Sequence, residues 1–118
     1  MKVVDAKDKE YRFGDSGPKY LMKGPRLNFA IVRFNPGQDF TAHYHSIMEE
    51  DFYIVEGKID IYVDDTKNTL SEGQFIHVAP KEVHYVANHY SEPVVMVSVL
   101  GPHQDVDKTE VPDYKIPE

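Results

Sequence analysis

Short apolar runs cut apart by glycine and proline constrain this chain more than any other feature. Seven Gly and eight Pro separate the runs Leu27 to Phe34, Asp51 to Glu56, Lys58 to Val63, Gly73 to Val78, His84 to Asn88 and Val94 to Leu100. Such runs have the length of strands, and no 10–15-residue stretch repeats apolar residues with helical period behind a capping box. The residue types agree: 14 Val, 7 Ile, 8 Tyr and 6 Phe stand against 4 Leu and 5 Ala. An all-β sandwich or barrel follows, and βαβ and dinucleotide folds are disfavoured. Ile59-Asp60-Ile61-Tyr62-Val63-Asp64 alternates as a strand with one wet face should, whereas Val94 to Leu100 is apolar on both faces and needs cover on each side. Glu56-Gly57-Lys58 reads as a tight turn and Asp64 to Asn68 as a polar loop, so consecutive strands are expected to meander. Residues 1–26 are polar and Gly/Pro-interrupted, and residues 101–118 carry Pro102, Pro112 and Pro117. Both are expected to be arms over a barrel formed by 27–100, with the arms covering edge strands or pairing with a second subunit.

At 118 residues the chain is one domain that buries about two-thirds of its unfolded surface. It has no Cys, which removes thiolate nucleophiles, disulfides, iron–sulfur clusters and cysteine-built zinc sites. Thirteen Lys and Arg against 20 Asp and Glu give a net charge of −7 without a basic block, so nucleic acid is not an expected partner. The N-terminus is charged where a signal peptide needs an apolar run, and nothing approaches the roughly 18 apolar residues of a membrane span. A cytoplasmic location and no membrane partner are expected. With no Cys, six His become the inventory for chemistry.

Their spacing is informative. Gly37 is followed after five residues by His43-Tyr44-His45, after four more by Glu50, and after six more by Gly57. Two His at i and i+2 of a strand face one way with Cα atoms roughly 6.6–7 Å apart, close enough for both rings to reach one ion. A hairpin would bring Glu50 alongside them as an anionic oxygen ligand. Further on, Gly73 precedes Ala79-Pro80-Lys81-Glu82-Val83-His84 and, three residues later, Asn88, so His84 is a third candidate imidazole.

In these residues the chain resembles a small single-domain cupin. The first motif of that family, G, five residues, HxH, three or four residues, E, six residues, G, is met at Gly37, His43, His45, Glu50 and Gly57. The second, G, five residues, PxG, two residues, H, three residues, N, is met at Gly73, His84 and Asn88, but Ala79 and Lys81 occupy its Pro and Gly positions. The resemblance covers about residues 27–100. It implies a double-stranded β-helix (jelly-roll) barrel enclosing one divalent transition metal, Mn, Fe, Ni, Co or Zn, held by His43, His45, Glu50 and His84. Glu50 is preferred to Glu49 because it carries the six-residue spacing to Gly57. Alternation then sends Glu50, Phe52 and Ile54 inward and Glu49, Asp51, Tyr53 and Val55 outward.

His77 is the one other His with a chance of lining the pocket, and His89 and His103 are expected in exposed loops. His77, Tyr53 and Glu49 are the nearby candidates for a catalytic acid or base. Tyr44 reads as wall packing, and Arg33 as an outward ion-pair partner with a substrate carboxylate as its alternative. The resemblance implies a metal-dependent enzyme of dioxygenase, isomerase or decarboxylase type acting on a small organic or sugar acid that is anionic or chelating. The alternative is a non-catalytic binding or storage module. Apolar outward positions such as Tyr53 and Val55 suggest a homodimer.

Overall fold

A computed structural model describes residues 1–117. After a 3-10 turn at Ala6–Asp8, ten strands follow: β1 Gly17–Lys23, β2 Asn28–Phe34, β3 Asp39–Tyr44, β4 Glu49–Glu56, β5 Lys58–Val63, β6 Thr66–Ser71, β7 Phe75–Val78, β8 His84–Ala87, β9 Val94–Gly101 and β10 Thr109–Glu110. They form two five-stranded antiparallel sheets, ordered β1-β2-β9-β4-β7 and β10-β3-β8-β5-β6. Among the described residues no helix is long and apolar enough to cross a membrane.

The strand signals read from the sequence survive, but their connections do not. Only β1–β2 and β5–β6 are sequential hairpins; β3, β4 and β5 switch sheets at each step, and so do β6 to β10. The meander expectation is therefore corrected to a jelly roll. Glu56-Gly57-Lys58 is a corner between sheets, because β4 pairs with β7 and β9 while β5 pairs with β6 and β8. Two apolar inner faces can be covered only by each other, and a chain that alternates between them closes both at once. The resulting core joins Ala30, Val32, Phe34, Phe52, Ile54, Val94 and Met96 of the first sheet to Ile59, Ile61 and Val86 of the second.

Three further strands lie where the sequence reads as polar. The hairpin turn after β5 is confined to Asp64 and Asp65, with Val63 paired to Thr66 and Asp64 at φ 51°. Residues 66–68, expected to be loop, thus begin β6, an edge strand whose outward residues have no apolar requirement. β1 and β10 arise in the expected arms and are the edges beside β2 and β3. Pro18 is tolerated in β1 because an edge strand need not donate every N–H.

The lumen is graded along its length. Ile54, Ile59 and Ile61 are fully buried at one end, while His43, His45, Glu50, His84 and Ser98 are buried at the other. The alternation expected for β4 holds: Glu50, Phe52 and Ile54 are buried, and Glu49, Tyr53 and Val55 are exposed.

Gly57 carries the corner. Its φ is +88°, and a Cβ there would lie 2.5 Å from the Pro93 carbonyl oxygen and 2.9 Å from Val94 Cα. Gly37 has the similar φ of +87° with nothing within 4 Å of a Cβ. Gly57→Ala should therefore cost more than about 3 kcal/mol and Gly37→Ala about 1–2 kcal/mol, read as urea unfolding midpoints.

Candidate metal centre

His43 and His84 face each other across the β3–β8 pair, while Glu50 reaches in from β4 of the opposite sheet. The carboxylate therefore approaches across the barrel, correcting the hairpin expected to place it alongside the His pair. His45 lies one residue past the end of β3. The three imidazole centroids are 4.4 to 5.4 Å apart. One ligand atom from each of His43, His45, Glu50 and His84 lies within 4.8 Å of the others, and all four residues are buried.

Main-chain carbonyls decide the protonation pattern of this cluster. His43 Nδ1 is 2.7 Å from the Thr41 oxygen, His84 Nδ1 3.0 Å from the Glu82 oxygen, and His45 Nδ1 2.7 Å from the Asp107 oxygen. A carbonyl can only accept, so each Nδ1 carries the hydrogen and each Nε2 is turned inward, where a ring without a second proton offers its lone pair. Glu50 Oε1 lies 3.0 Å from His84 Nε2 and 3.4 Å from His45 Nε2. The other carboxylate oxygen accepts from Ser98 Oγ at 2.7 Å. His45 Nε2 is buried with no hydrogen-bond partner. Four acceptors converging in a buried space repel one another unless a cation or shared protons lie between them, so this donor set fits a divalent ion.

In the absence of an ion the electrostatics favour a neutral His43 and a His45 that shares a proton with an ionised Glu50. Burial, reinforced by the neighbouring His84, lowers the His43 pKa to about 4, with the Thr41 carbonyl opposing, so this ring is neutral near pH 7. Burial would raise the Glu50 pKa, but His45, His84 and Ser98 outweigh it and hold the carboxyl well below its ordinary range. Burial would lower the His45 pKa, but Glu50 and Asp107 raise it on balance.

Support for the cluster comes from loops and from the C-terminal segment. Asp107 accepts from the Ser46, Ile47 and Met48 amides at 2.8, 3.0 and 2.8 Å while its carbonyl orients His45. The turn that departs from the family motif keeps its shape. Lys81 takes the left-handed φ of 72°, its amide donates to the His45 carbonyl at 2.6 Å, and Glu82 Oε1 accepts from the Ala79 amide at 2.7 Å. Asn88 is fully buried and structural: its side-chain amide donates to the Phe34 and Glu92 carbonyls, and its oxygen accepts from the Tyr90 amide.

The cluster opens into a cavity of about 340 Å³ whose lining includes Arg12, Tyr20, Phe40, Phe52, Ser98 and Lys108. A shallower depression of about 420 Å³ beside Gly57, Lys58 and Tyr90 contains none of the histidines. Other sequence candidates lie elsewhere. Glu49 and Tyr53 are exposed on the outer face of β4, and His77 is exposed on β7, with Nδ1 2.5 Å from Asp51 Oδ1. His77 therefore stays outside the pocket. Tyr44 and Arg33 are both half-buried, and Arg33 alternates with the inward residues Val32 and Phe34. His89 is exposed as expected, but His103 is half-buried between Asn28 and Asp105. Arg12, Tyr20, Ser98, Asp107 and Lys108 went unnoticed in the sequence because no spacing rule ties them to the histidines.

Residues 30–100 match the family described as "Cupin domain". The chain belongs to the cupin family. Among the relatives of this cupin, it is 35% identical over 68 residues to quercetin 2,3-dioxygenase of Bacillus subtilis, covering 56% of this chain and 19% of that protein. It is 31% identical over 93 residues to Protein SchB of Streptomyces halstedii, covering 71% of this chain and 65% of that one. The chain thus spans about a fifth of the first relative and just under two-thirds of the second. The polyketide cyclase RemF of Streptomyces resistomycificus superposes with a TM-score of 0.77 at 18% identity, covering 99% of this cupin and 89% of RemF. At that identity the likeness shows a shared fold.

Asp107→Ala removes one acceptor from three amides and frees the segment that orients His45. Stability should fall by about 1–2 kcal/mol, discounted for the partial exposure of the carboxylate. Hydrogen exchange at Ser46, Ile47 and Met48 should quicken well beyond the rest of the barrel.

Proposed function

We propose that His43, His45, Glu50 and His84 hold one divalent transition metal and that the protein is a metal-dependent enzyme acting on a small, oxygen-rich anion. The observation that carries this reading is the convergence of three imidazole Nε2 atoms, each with its Nδ1 held by a main-chain carbonyl, on the Glu50 carboxylate. A bound divalent ion would supply Lewis acidity toward a carbonyl or carboxylate, or oxygen chemistry if it is iron. The chain's own residues provide the setting. Ser98 holds one Glu50 oxygen so that the other faces the imidazoles. Phe40 and Phe52 give the cavity apolar walls that exclude water from around a small ligand. Burial, opposed by Arg12, raises the Tyr20 pKa, and this phenol lines the cavity beside Thr41 and Ser98 as one of its hydroxyl groups. The dioxygenase and the polyketide cyclase among its relatives support small-molecule chemistry as the class of function.

A second reading, a binding or storage module without turnover, is favoured by one placement. The acid–base candidates expected from sequence, Glu49, Tyr53 and His77, all lie on the outer face.

Elemental analysis of the natively purified protein tests the metal reading. About one transition-metal ion per chain is expected, and His43→Ala should lower metal affinity by at least about a hundredfold with the barrel still folded. Full stoichiometric metal in His43→Ala would refute the site. Turnover of an organic-acid panel by the metal-loaded protein would support the enzyme; tight binding without turnover would support the module.

We also propose that two copies pair through the outer face of the first sheet, where Tyr53, Val55 and Phe75 are 46, 50 and 58% exposed. Covering such a patch removes apolar area from water. Light scattering at tens of micromolar should give twice the chain mass, and Tyr53→Lys should shift it toward one chain.

A further inference from the structure

The cavity above the histidine cluster is bordered by two cations, Arg12 from the N-terminal segment and Lys108 from the C-terminal one. The chain carries a net charge of −7, so cations on a ligand cavity run against its general balance. Several others are engaged: Lys7 with Asp5, Lys67 with Asp60, and Lys19, Lys23 and Lys58 over tyrosine rings. Among the described residues neither Arg12 nor Lys108 has a carboxylate oxygen within 4.0 Å. The two acids on the cavity wall are occupied. Asp39 accepts from the Tyr85 hydroxyl at 2.5 Å, and Glu50 is held by Ser98 and the imidazoles.

Both cations sit on fixed backbone although they flank the chain ends. The Arg12 amide donates to the Pro18 carbonyl at 2.9 Å, Phe13 donates to Ser16 at 3.0 Å, and Gly14 closes the turn on Tyr11 at 3.0 Å. A Cβ at Gly17, whose φ is +87°, would lie 2.8 Å from the Phe13 ring, so glycine lets the turn fold down onto β1. Lys108 stands between Asp107, pinned by three amides, and Thr109, which opens β10 against Tyr44 of β3. The lining that the cations and the histidines share includes the apolar side chains Phe13, Phe40, Phe52, Val86 and Leu100.

We propose that Arg12 and Lys108 form an anion clamp that selects a short dicarboxylate as the ligand of this site. One oxygen-rich end would face the His43–His45–Glu50–His84 cluster, the carbon chain would lie on the phenyl wall, and the far carboxylate would meet the Arg12 guanidinium. The clamp rests on the reading that the cluster holds a divalent ion. In that state the two cations offset Asp39 and Glu50, and the pocket keeps a double positive charge that a dianion neutralises. The planar fork of Arg12 suits a carboxylate through two parallel N–H bonds, while Lys108 acts as a point charge. A volume of about 340 Å³ lies at the small end of ligand pockets, which suits a short-chain acid.

Malate and 2-hydroxybutyrate test this, because they share the chelating hydroxy-acid end and differ only by a carboxylate in place of a methyl. Calorimetry on the metal-loaded protein should show malate binding at least about tenfold more tightly than 2-hydroxybutyrate. Arg12→Gln should cut that preference to about the two- to threefold that Lys108 supplies, weakening 2-hydroxybutyrate far less than malate and leaving metal content and the urea midpoint unchanged. Arg12→Lys should restore part of it, and Lys108→Gln should weaken malate by about two- to threefold. Equal binding of the two acids by the unaltered protein, a preference undiminished by Arg12→Gln, or no malate binding up to about 10 mM would overturn the clamp. Metal content is measured separately in His43→Ala. A natively purified protein without metal would refute the cluster reading and the clamp with it, whereas full metal content with equal binding of the two acids would refute the clamp alone.

Discussion

Acceptors gathered inside a barrel are the constraint on which the rest of the structure depends. Each histidine gives its Nδ1 hydrogen to a main-chain carbonyl, which turns three Nε2 atoms toward Glu50. Such an arrangement is unfavourable in a buried space without a positive charge, and it persists because rigid neighbours hold every member. Thr41 and Glu82 act from β3 and the turn before β8, Ser98 acts from β9, and Asp107 acts from the C-terminal segment. The strength of the core therefore serves the site. Packed apolar residues at one end of the lumen fix the strands whose other ends present the polar cluster.

The sheet-switching path explains how so short a chain encloses a site. Histidines from one sheet and a carboxylate from the other meet across the lumen, and neither sheet alone could surround a ligand. The same path places Gly57 at a corner where the β4 chain end passes against Pro93 and Val94, so a side chain there is excluded by backbone. The Cβ position of Gly37 is open, and its requirement is conformational alone. Two glycines in one motif thus answer to different physics.

Much of the fold was legible in the chain because its signals are local. Inward and outward residues of β4 follow from alternation, and the limits of β5 and β9 follow from apolar runs bounded by turn residues. Of the edge strands β7 was legible as an apolar run, but β1, β6 and β10 were not: β6 is mostly exposed, and the Lys, Asn and Thr residues of these strands resemble loop. Nor could local pattern distinguish a corner at Gly57 from a hairpin, since both ask only for a residue at positive φ. Of the site, the four ligand candidates were readable from spacing, while Ser98, Asp107, Arg12 and Lys108 were not. Their roles depend on where distant segments cross the barrel mouth.

Sequence alone determined that this chain is all-β, that its chemistry must use nitrogen and oxygen donors because it has no Cys, and which three histidines belong with Glu50. The first two follow from residue type; the histidine set follows from the i, i+2 pair, whose direction backbone geometry gives, and for His84 from the resemblance to the second cupin motif. The tertiary structure decided the rest: that Glu50 approaches from the opposite sheet, that His77 stays outside, and that both chain ends complete the pocket. Those outcomes depend on contacts between residues far apart in the chain. Only the burial of two apolar sheet faces against each other brings them together.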